Sequence, residues 1–181
     1  MLTKEQEYEI VKDVLNGKTE EYAVIVNEYQ QHVANLVYKL VLSPNDVEEI
    51  VQQVFVDLYM SLPRFRFESR LSTYIYRITV NVVANMLRRQ KKYVSLEHLM
   101  EEERDRKHNQ EETIIHEERM AMVRRALGNL KTEQRTALVL YSYEGFSYQD
   151  ISDVMQISLA KVESLIFRAR KNIKKQIEAM L

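Results

Sequence analysis

The chain has no cysteine and no tryptophan, and its 181 residues include only three glycines and two prolines. Without cysteine there are no disulfides, thiolate metal sites or cysteine nucleophiles, which suits a reducing compartment and makes the cytoplasm the expected location. So little glycine leaves few tight turns and no phosphate-cradling loop, which argues against a doubly wound nucleotide-binding sheet. Long apolar runs are also missing. The most apolar stretch, Tyr74 to Leu87, is interrupted by Arg77 and Asn81, and the amino terminus MLTKEQEYEIVKDVL is charged throughout, so neither a signal peptide nor membrane insertion is expected. The four histidines (His32, His98, His108, His116) lack zinc-ligand spacing, and no glycine-framed serine offers a nucleophile; enzyme chemistry, metals and cofactors are not expected. What is present is 45% apolar residues, enough for ordinary cores, placed at helical spacing. The expected fold is all-α, in one domain or two small ones.

The net charge of −1 hides a strong division along the chain. Residues 64–92 hold eight bases against the single acid Glu68, a net of +7; residues 97–118 hold nine acids against three bases, a net of −6; residues 161–175 return to +5, with six bases against Glu163. Two basic modules are thus joined by an acidic connector with too few apolar residues for a core. The boundaries expected are 1–92, an acidic linker over 93–118, and 119–181.

In the carboxy-terminal module, GFSYQDISDVMQISLAKVESLIFRAR (145–170) has the layout of a DNA-reading helix-turn-helix. Ser147 with Asp150 three residues on is a helix start, and Ile151, Val154 and Met155 give that short helix an apolar stripe. Gln156, Ile157 and Ser158 leave room only for a turn, with Ser158 as the next cap. Leu159, Val162, Ile166, Ala169 and Ile173 then recur at helical spacing. The opposite face carries Lys161, Glu163, Ser164, Phe167, Arg168, Lys171 and Lys175, side chains suited to phosphates and base edges in a major groove. The plainer alternative is a helical hairpin with a solvated basic face.

Four helices are expected before the linker: about 4–16; from 19 or 20 to 41; from Pro44, capped by Ser43; and about 72–91, with Ile75, Ile78, Val82 and Met86 inward. Val47, Ile50, Val51, Val54, Phe55 and Leu58 line one face of the third, leaving an acid-and-amide outer face that on its own reads as solvated. Pro63 introduces a non-periodic loop, Arg64-Phe65-Arg66-Phe67-Glu68-Ser69-Arg70, whose aromatic and guanidinium planes suit unstacked bases; one of the two phenylalanines is expected in the core.

With DVEEIVQQVFVDLY (46–59), RFRFESRLSTYIYRITVN (64–81) and the helix-turn-helix ending in FRAR standing in this order, nearly the whole chain resembles the extracytoplasmic-function, or group IV, sigma factors of bacterial RNA polymerase. The resemblance implies a region 2-like bundle and a region 4-like helix-turn-helix domain. It implies as partners core polymerase, met at the β′ clamp helices and the β flap, and promoter DNA, and it leaves room for an anti-sigma factor. On the matching positions, Asp46, Glu49, Gln52, Gln53 and Val56 would dock on core polymerase. Arg66, Phe67, Ser69, Arg70, Tyr74, Arg77, Asn81, Arg88 and Arg89 would serve the minus-ten element, the loop holding a flipped base. Lys161, Glu163, Ser164, Phe167, Arg168 and Lys171 would serve the minus-thirty-five element. Tyr74 stands where the family commonly has tryptophan. Glu163 and Leu165 stand where it often has bases, so fewer phosphate contacts are expected there, and Glu163 is placed to accept from a cytosine amine. Two other classes stay open at this point: a helix-turn-helix repressor or activator acting without sigma activity, and a sigma-like adaptor that does not initiate.

Overall fold

The computed structural model describes residues 2–94 and 121–179, with the backbone alone at 91–94. All regular structure among these residues is helical. The elements are α1 (Lys4–Leu15), α2 (Tyr22–Val41), α3 (Val47–Ser61), α4 (Leu71–Val94), α5 (121–128), α6 (Thr132–Ser142), α7 (Tyr148–Met155) and α8 (Leu159–Glu178). The acidic connector lies outside the described residues from 95 onward.

Local chemistry sets most of the boundaries. Thr3 and Gln6 form a capping box at the start of α1, and Ser147 and Asp150 form another at the start of α7. Ser158 accepts from the Lys161 N–H at the start of α8, as expected. Ser43 does not cap as expected. It has extended backbone angles but makes no side-chain cap hydrogen bond, because a proline-led 3-10 turn over Pro44–Asp46 stands first and α3 begins only at Val47. Between α7 and α8 the chain reverses through Gln156, held at φ 53° in the left-handed region usually taken by glycine.

In the amino-terminal half α2, α3 and α4 pack around Ile25, Tyr29, Leu36, Val54, Leu58 and Ile75, each fully buried, with Val11 and Val14 of α1 closing one end. The inward face of α4 differs from the one expected. Ile75 is fully buried, but Ile78, Val82 and Met86 are only half-buried, while Tyr76, Thr79, Val80 and Val83 are buried. The cause is the carboxy-terminal half: α7 lies against α4, and α6 against α2, so a second flank of α4 is covered. One apolar cluster runs from Val11 through α2–α4 into Val139, Leu140, Ile151, Val154 and Val162.

Polar contacts cross the same seam. Glu144, in the turn between α6 and α7, accepts from Lys39 Nζ and from the Tyr76 hydroxyl, both at 3.0 Å, and the Phe146 ring packs on Tyr76 at 4.9 Å. Burial, then the Glu144 carboxylate, pushes the Tyr76 hydroxyl well above its ordinary pKa. The buried Arg135 guanidinium donates to the Leu40 carbonyl in the last turn of α2 at 2.6 Å and to the Gly128 carbonyl at the end of α5 at 3.2 Å. It thus satisfies orphan carbonyls at the negative ends of two helices. Burial lowers its pKa.

The face of α8 also needs two corrections. Leu165 is 8% exposed and packs with Val162 and Ile166, so it is a core residue and not a lost phosphate contact; Leu159, expected inward, is 43% exposed at the helix start.

Two outcomes follow from this packing. Glu144→Ala strands Lys39 and the Tyr76 hydroxyl, and should lower stability by about 1–3 kcal/mol and raise the radius of gyration measured by small-angle scattering. A variant as stable and compact as the parent would show that the contact contributes nothing. Leu165→Arg should cost about 2–4 kcal/mol through lost packing and a poorly solvated charge, read as a lower thermal midpoint. Unchanged melting would place position 165 on the open face.

Candidate nucleic-acid interface

The loop between α3 and α4 begins with a 3-10 turn, Leu62–Arg64, and then runs irregularly to Arg70. Its two phenylalanines divide. Phe65 is 8% exposed and stacks on Tyr74 at 4.9 Å, whereas Phe67 is half-buried, with φ 57°, and packs against Phe65 at 4.7 Å and Tyr8 at 4.8 Å. Phe65 and Tyr74 of this ladder of tilted rings line one wall of a cleft of about 780 Å³, with Arg64, Arg66, Glu68, Ser69 and Arg77 around it. The Arg77 guanidinium lies 5.9 Å from the Tyr74 ring centre, and its Nε is buried without a hydrogen-bond partner. Three guanidinium groups beside aromatic rings can hold phosphates and stack on bases. Ser152, Asp153, Gln156 and Ile157, from α7 and the turn after it, line the opposite side of the cleft.

Of the residues carried over for the minus-ten element, Arg66, Ser69, Tyr74 and Arg77 share this cleft. Phe67 and Arg70 lie behind it, against α1. Asn81 and Arg88 are exposed and follow Arg77 at helical spacing along one line of α4. Arg89 leaves that line. It lies in a groove between α3 and α4 with Asp46, Glu49, Gln53 and Asp57.

The polymerase-docking set occupies two adjacent stripes of α3 and the turn that leads into it. Asp46, Glu49 and Gln53 face the α4 groove, where Gln53 Nε2 donates to Asp57 at 2.6 Å and Gln90 Nε2 to Asp46 at 3.5 Å. Gln52 and Val56 instead border an apolar groove of about 560 Å³ shared with α2, lined also by Tyr22, Val26, Phe55, Tyr59 and Met60. The Tyr22 hydroxyl donates to the Phe55 carbonyl at 2.6 Å, and burial raises its pKa. Val56 is 56% exposed, Tyr59 40% and Met60 72%. Tyr59 and Met60 went unread in the sequence, although they are apolar residues outside the inward stripe of α3.

On α8, Glu163, Phe167, Arg168 and Lys171 are exposed on one face with Lys161, and Ser164 is half-exposed beside them; Phe167 is 69% exposed. Lys161 is paired with Glu133 of α6 at 3.1 Å, an exposed ion pair that gives way easily to a phosphate.

Glu7 also escaped the sequence reading. It is 2% exposed and accepts from Tyr29, whose hydroxyl is pushed above its ordinary pKa by burial and then by this bond. A signal was available, since Glu7 stands at helical spacing with the buried Val11 and Val14.

Comparison with known proteins agrees with this geometry. Residues 25–93 match the model of Sigma-70 region 2, and residues 120–173 that of Sigma-70, region 4. The chain is 32% identical to the RNA polymerase sigma-H factor of Pseudomonas aeruginosa, over an alignment covering 100% of this chain and 98% of the relative. It is also 32% identical to the ECF RNA polymerase sigma-E factor of Haemophilus influenzae, covering 95% of each. Its fold is similar to that of the sigma factor RpoE in complex with the anti-sigma factor NepR from Bartonella quintana, with a TM-score of 0.69 and 17% identity over 88% of this chain and 98% of that one. No helix among the described residues is long and apolar enough to cross a membrane. Two region models in the right order, and relatives spanning its full length, show that the chain belongs to the ECF sigma factors of bacterial RNA polymerase, initiation factors rather than enzymes, which bind core polymerase and direct it to promoters.

Proposed function

We propose that three surfaces divide this work among residues 1–92 and 119–181, with 93–118 as the acidic linker. The acid-and-amide stripe of Asp46, Glu49 and Gln53, with the neighbouring apolar groove at Gln52 and Val56, docks on the β′ clamp helices. The cleft formed by Arg66, Ser69, Tyr74 and Arg77, with Phe67 and Arg70 supporting the loop, takes the flipped base of the minus-ten element, and Asn81 and Arg88 follow the melted strand. On α8, Lys161, Glu163, Ser164, Phe167, Arg168 and Lys171 meet the minus-thirty-five element, while the carboxy-terminal domain engages the β flap. Arg89 sits among the acids of α3, so it belongs with the docking surface as much as with the strand.

The observation that carries this reading is the cleft, where the guanidinium groups of Arg64, Arg66 and Arg77 converge with the rings of Phe65 and Tyr74. Unpairing costs a few kcal/mol per base, and stacking with phosphate contacts returns roughly 1–3 kcal/mol per base. The factor needs no catalytic group to favour the open strand.

The packed halves cannot read both elements at once. These elements lie about 25 base pairs apart, roughly 85 Å of B-form duplex, whereas a folded chain of 181 residues has a radius of gyration of about 16 Å. The α4–α7 seam therefore parts in the holoenzyme. An anti-sigma factor is a further candidate partner, supported by the complex in which the similar fold was solved. The site of action is the cytoplasm, where core polymerase and promoter DNA meet.

A repressor would protect duplex operator DNA alone, whereas this chain should give specific starts in vitro only with core polymerase. Glu49→Lys should weaken core binding about tenfold or more with melting unchanged; unaltered affinity would remove this stripe from the docking surface. For the minus-thirty-five element, Glu163→Lys should steepen the slope of log affinity against log salt in the holoenzyme by about 0.9. A slope equal to that of the parent would place position 163 away from the phosphates.

A further inference from the structure

The first helix precedes the matched region 2 segment, which begins at residue 25, and none of the three surfaces above uses it. Yet it carries a buried carboxylate aimed at the loop between α3 and α4. Glu7 Oε1 accepts the Tyr29 hydroxyl of α2 at 2.8 Å and lies 3.4 Å from Arg70 Nη2, and Oε2 accepts the backbone N–H of Leu71 at 3.0 Å. Leu71 is the first residue of α4. The first N–H groups of a helix have no partner within it, and they form the positive end of its dipole. Glu7 therefore does for α4 what a capping side chain does, from 64 residues away.

The amino-terminal segment holds the loop in two further places. Arg70 Nη2 donates to the carbonyl of Leu2, just ahead of α1, at 2.8 Å, which tethers the guanidinium of a side chain that remains 49% exposed. The Tyr8 ring packs on Phe67 at 4.8 Å. Phe67 has φ 57°, a left-handed conformation that a residue with a Cβ keeps only where its surroundings impose it. Here Tyr8 of α1 and Phe65 of the loop supply those surroundings. The anchorage of α1 to the bundle is separate, through Val11 and Val14, which are 0% and 6% exposed. An ion pair with only one partner buried is a weak source of stability compared with apolar packing at the same place. What the carboxylate adds over an apolar residue is direction, since it fixes where Arg70 and the first turn of α4 stand.

We propose that Glu7 is a positioning residue for the minus-ten reader: it holds Arg70, the loop and the first turn of α4 in the shape that presents Arg66 and Tyr74 to an unpaired base, without itself touching DNA. The proposal rests on the reading of that loop as the minus-ten reader.

Glu7→Gln keeps the size of the side chain but turns one of the two acceptor oxygens into a donor. Holoenzyme carrying it should bind core polymerase within twofold of the parent. It should give at least tenfold fewer open complexes by permanganate reactivity of the minus-ten thymines, and discriminate about tenfold less among forked templates that differ at the flipped base. Tyr29→Phe is the control, because it removes the donor on the core side of the same carboxylate and leaves the loop contacts in place. It should lower the melting temperature yet keep the base discrimination. Equal loss of discrimination in the two variants at a temperature where both are folded would overturn the proposal, as would unchanged discrimination in Glu7→Gln. A Glu7→Gln chain that fails to fold would also overturn it, because the carboxylate would then be a determinant of the fold. A Gly/Ser replacement of residues 66–70 separates this from the underlying reading. If the replaced loop still opens the minus-ten element, the loop reading fails and takes the proposal with it; if the replacement abolishes opening while Glu7→Gln is silent, only the positioning role fails.

Discussion

Helix α4 has two flanks to cover, and the rest of the architecture follows from how each is covered. Ile75 closes the amino-terminal bundle with α2 and α3, while Tyr76 is held by Phe146 and Glu144 from the other half of the chain. The third side of the helix is left for the cleft residues Tyr74 and Arg77. A single helix thus serves as core element, as the seam between halves and as the wall of the nucleic-acid cleft. A shift in its packing is felt in all three.

The seam combines two kinds of interaction with different consequences. Apolar contact between α4 and α7 is non-directional and supplies cohesion. The buried Arg135 and the half-buried Glu144 supply register, since each reaches specific acceptors or donors across the divide. Ions removed from water add little net cohesion even when well paired, but they penalise misplacement heavily. Such a seam is well defined when closed and still able to part, like other interfaces between domains of one chain. Parting uncovers the cleft, whose far side is lined by Asp153 and Gln156.

Charge is distributed so that one small chain can meet both protein and polyanion. The basic groups gather at the loop and on the outer faces of α4 and α8, whereas the outer face of α3 carries acids, amides and a strip of exposed apolar surface. Polyanions are repelled from that strip, which keeps it free for a protein surface. Arg89 crosses the division, beside acids that offset its charge.

Much of this was legible from local rules. Helix starts at Ser147 and Ser158, the inward stripe of α3 and the basic face of α8 depend on interactions within one or two turns, and these survive folding unchanged. The resemblance to the sigma family rested on the same short segments. Tertiary packing decided the rest, because a helix with two apolar flanks does not reveal in its periodicity which flank meets which partner. The inward set of α4 therefore shifted to Tyr76, Thr79 and Val83, and Leu165 became a core residue. Long-range polar contacts are invisible for a related reason: Glu7 meets Leu71, and Arg135 meets Leu40, across 64 and 95 positions of sequence, and a charge at helical spacing looks solvated until the chain folds over it. The sequence by itself determined which segments are helical and which faces are charged. The tertiary structure alone decided which of those faces are buried, because burial depends on neighbours that lie far away along the chain.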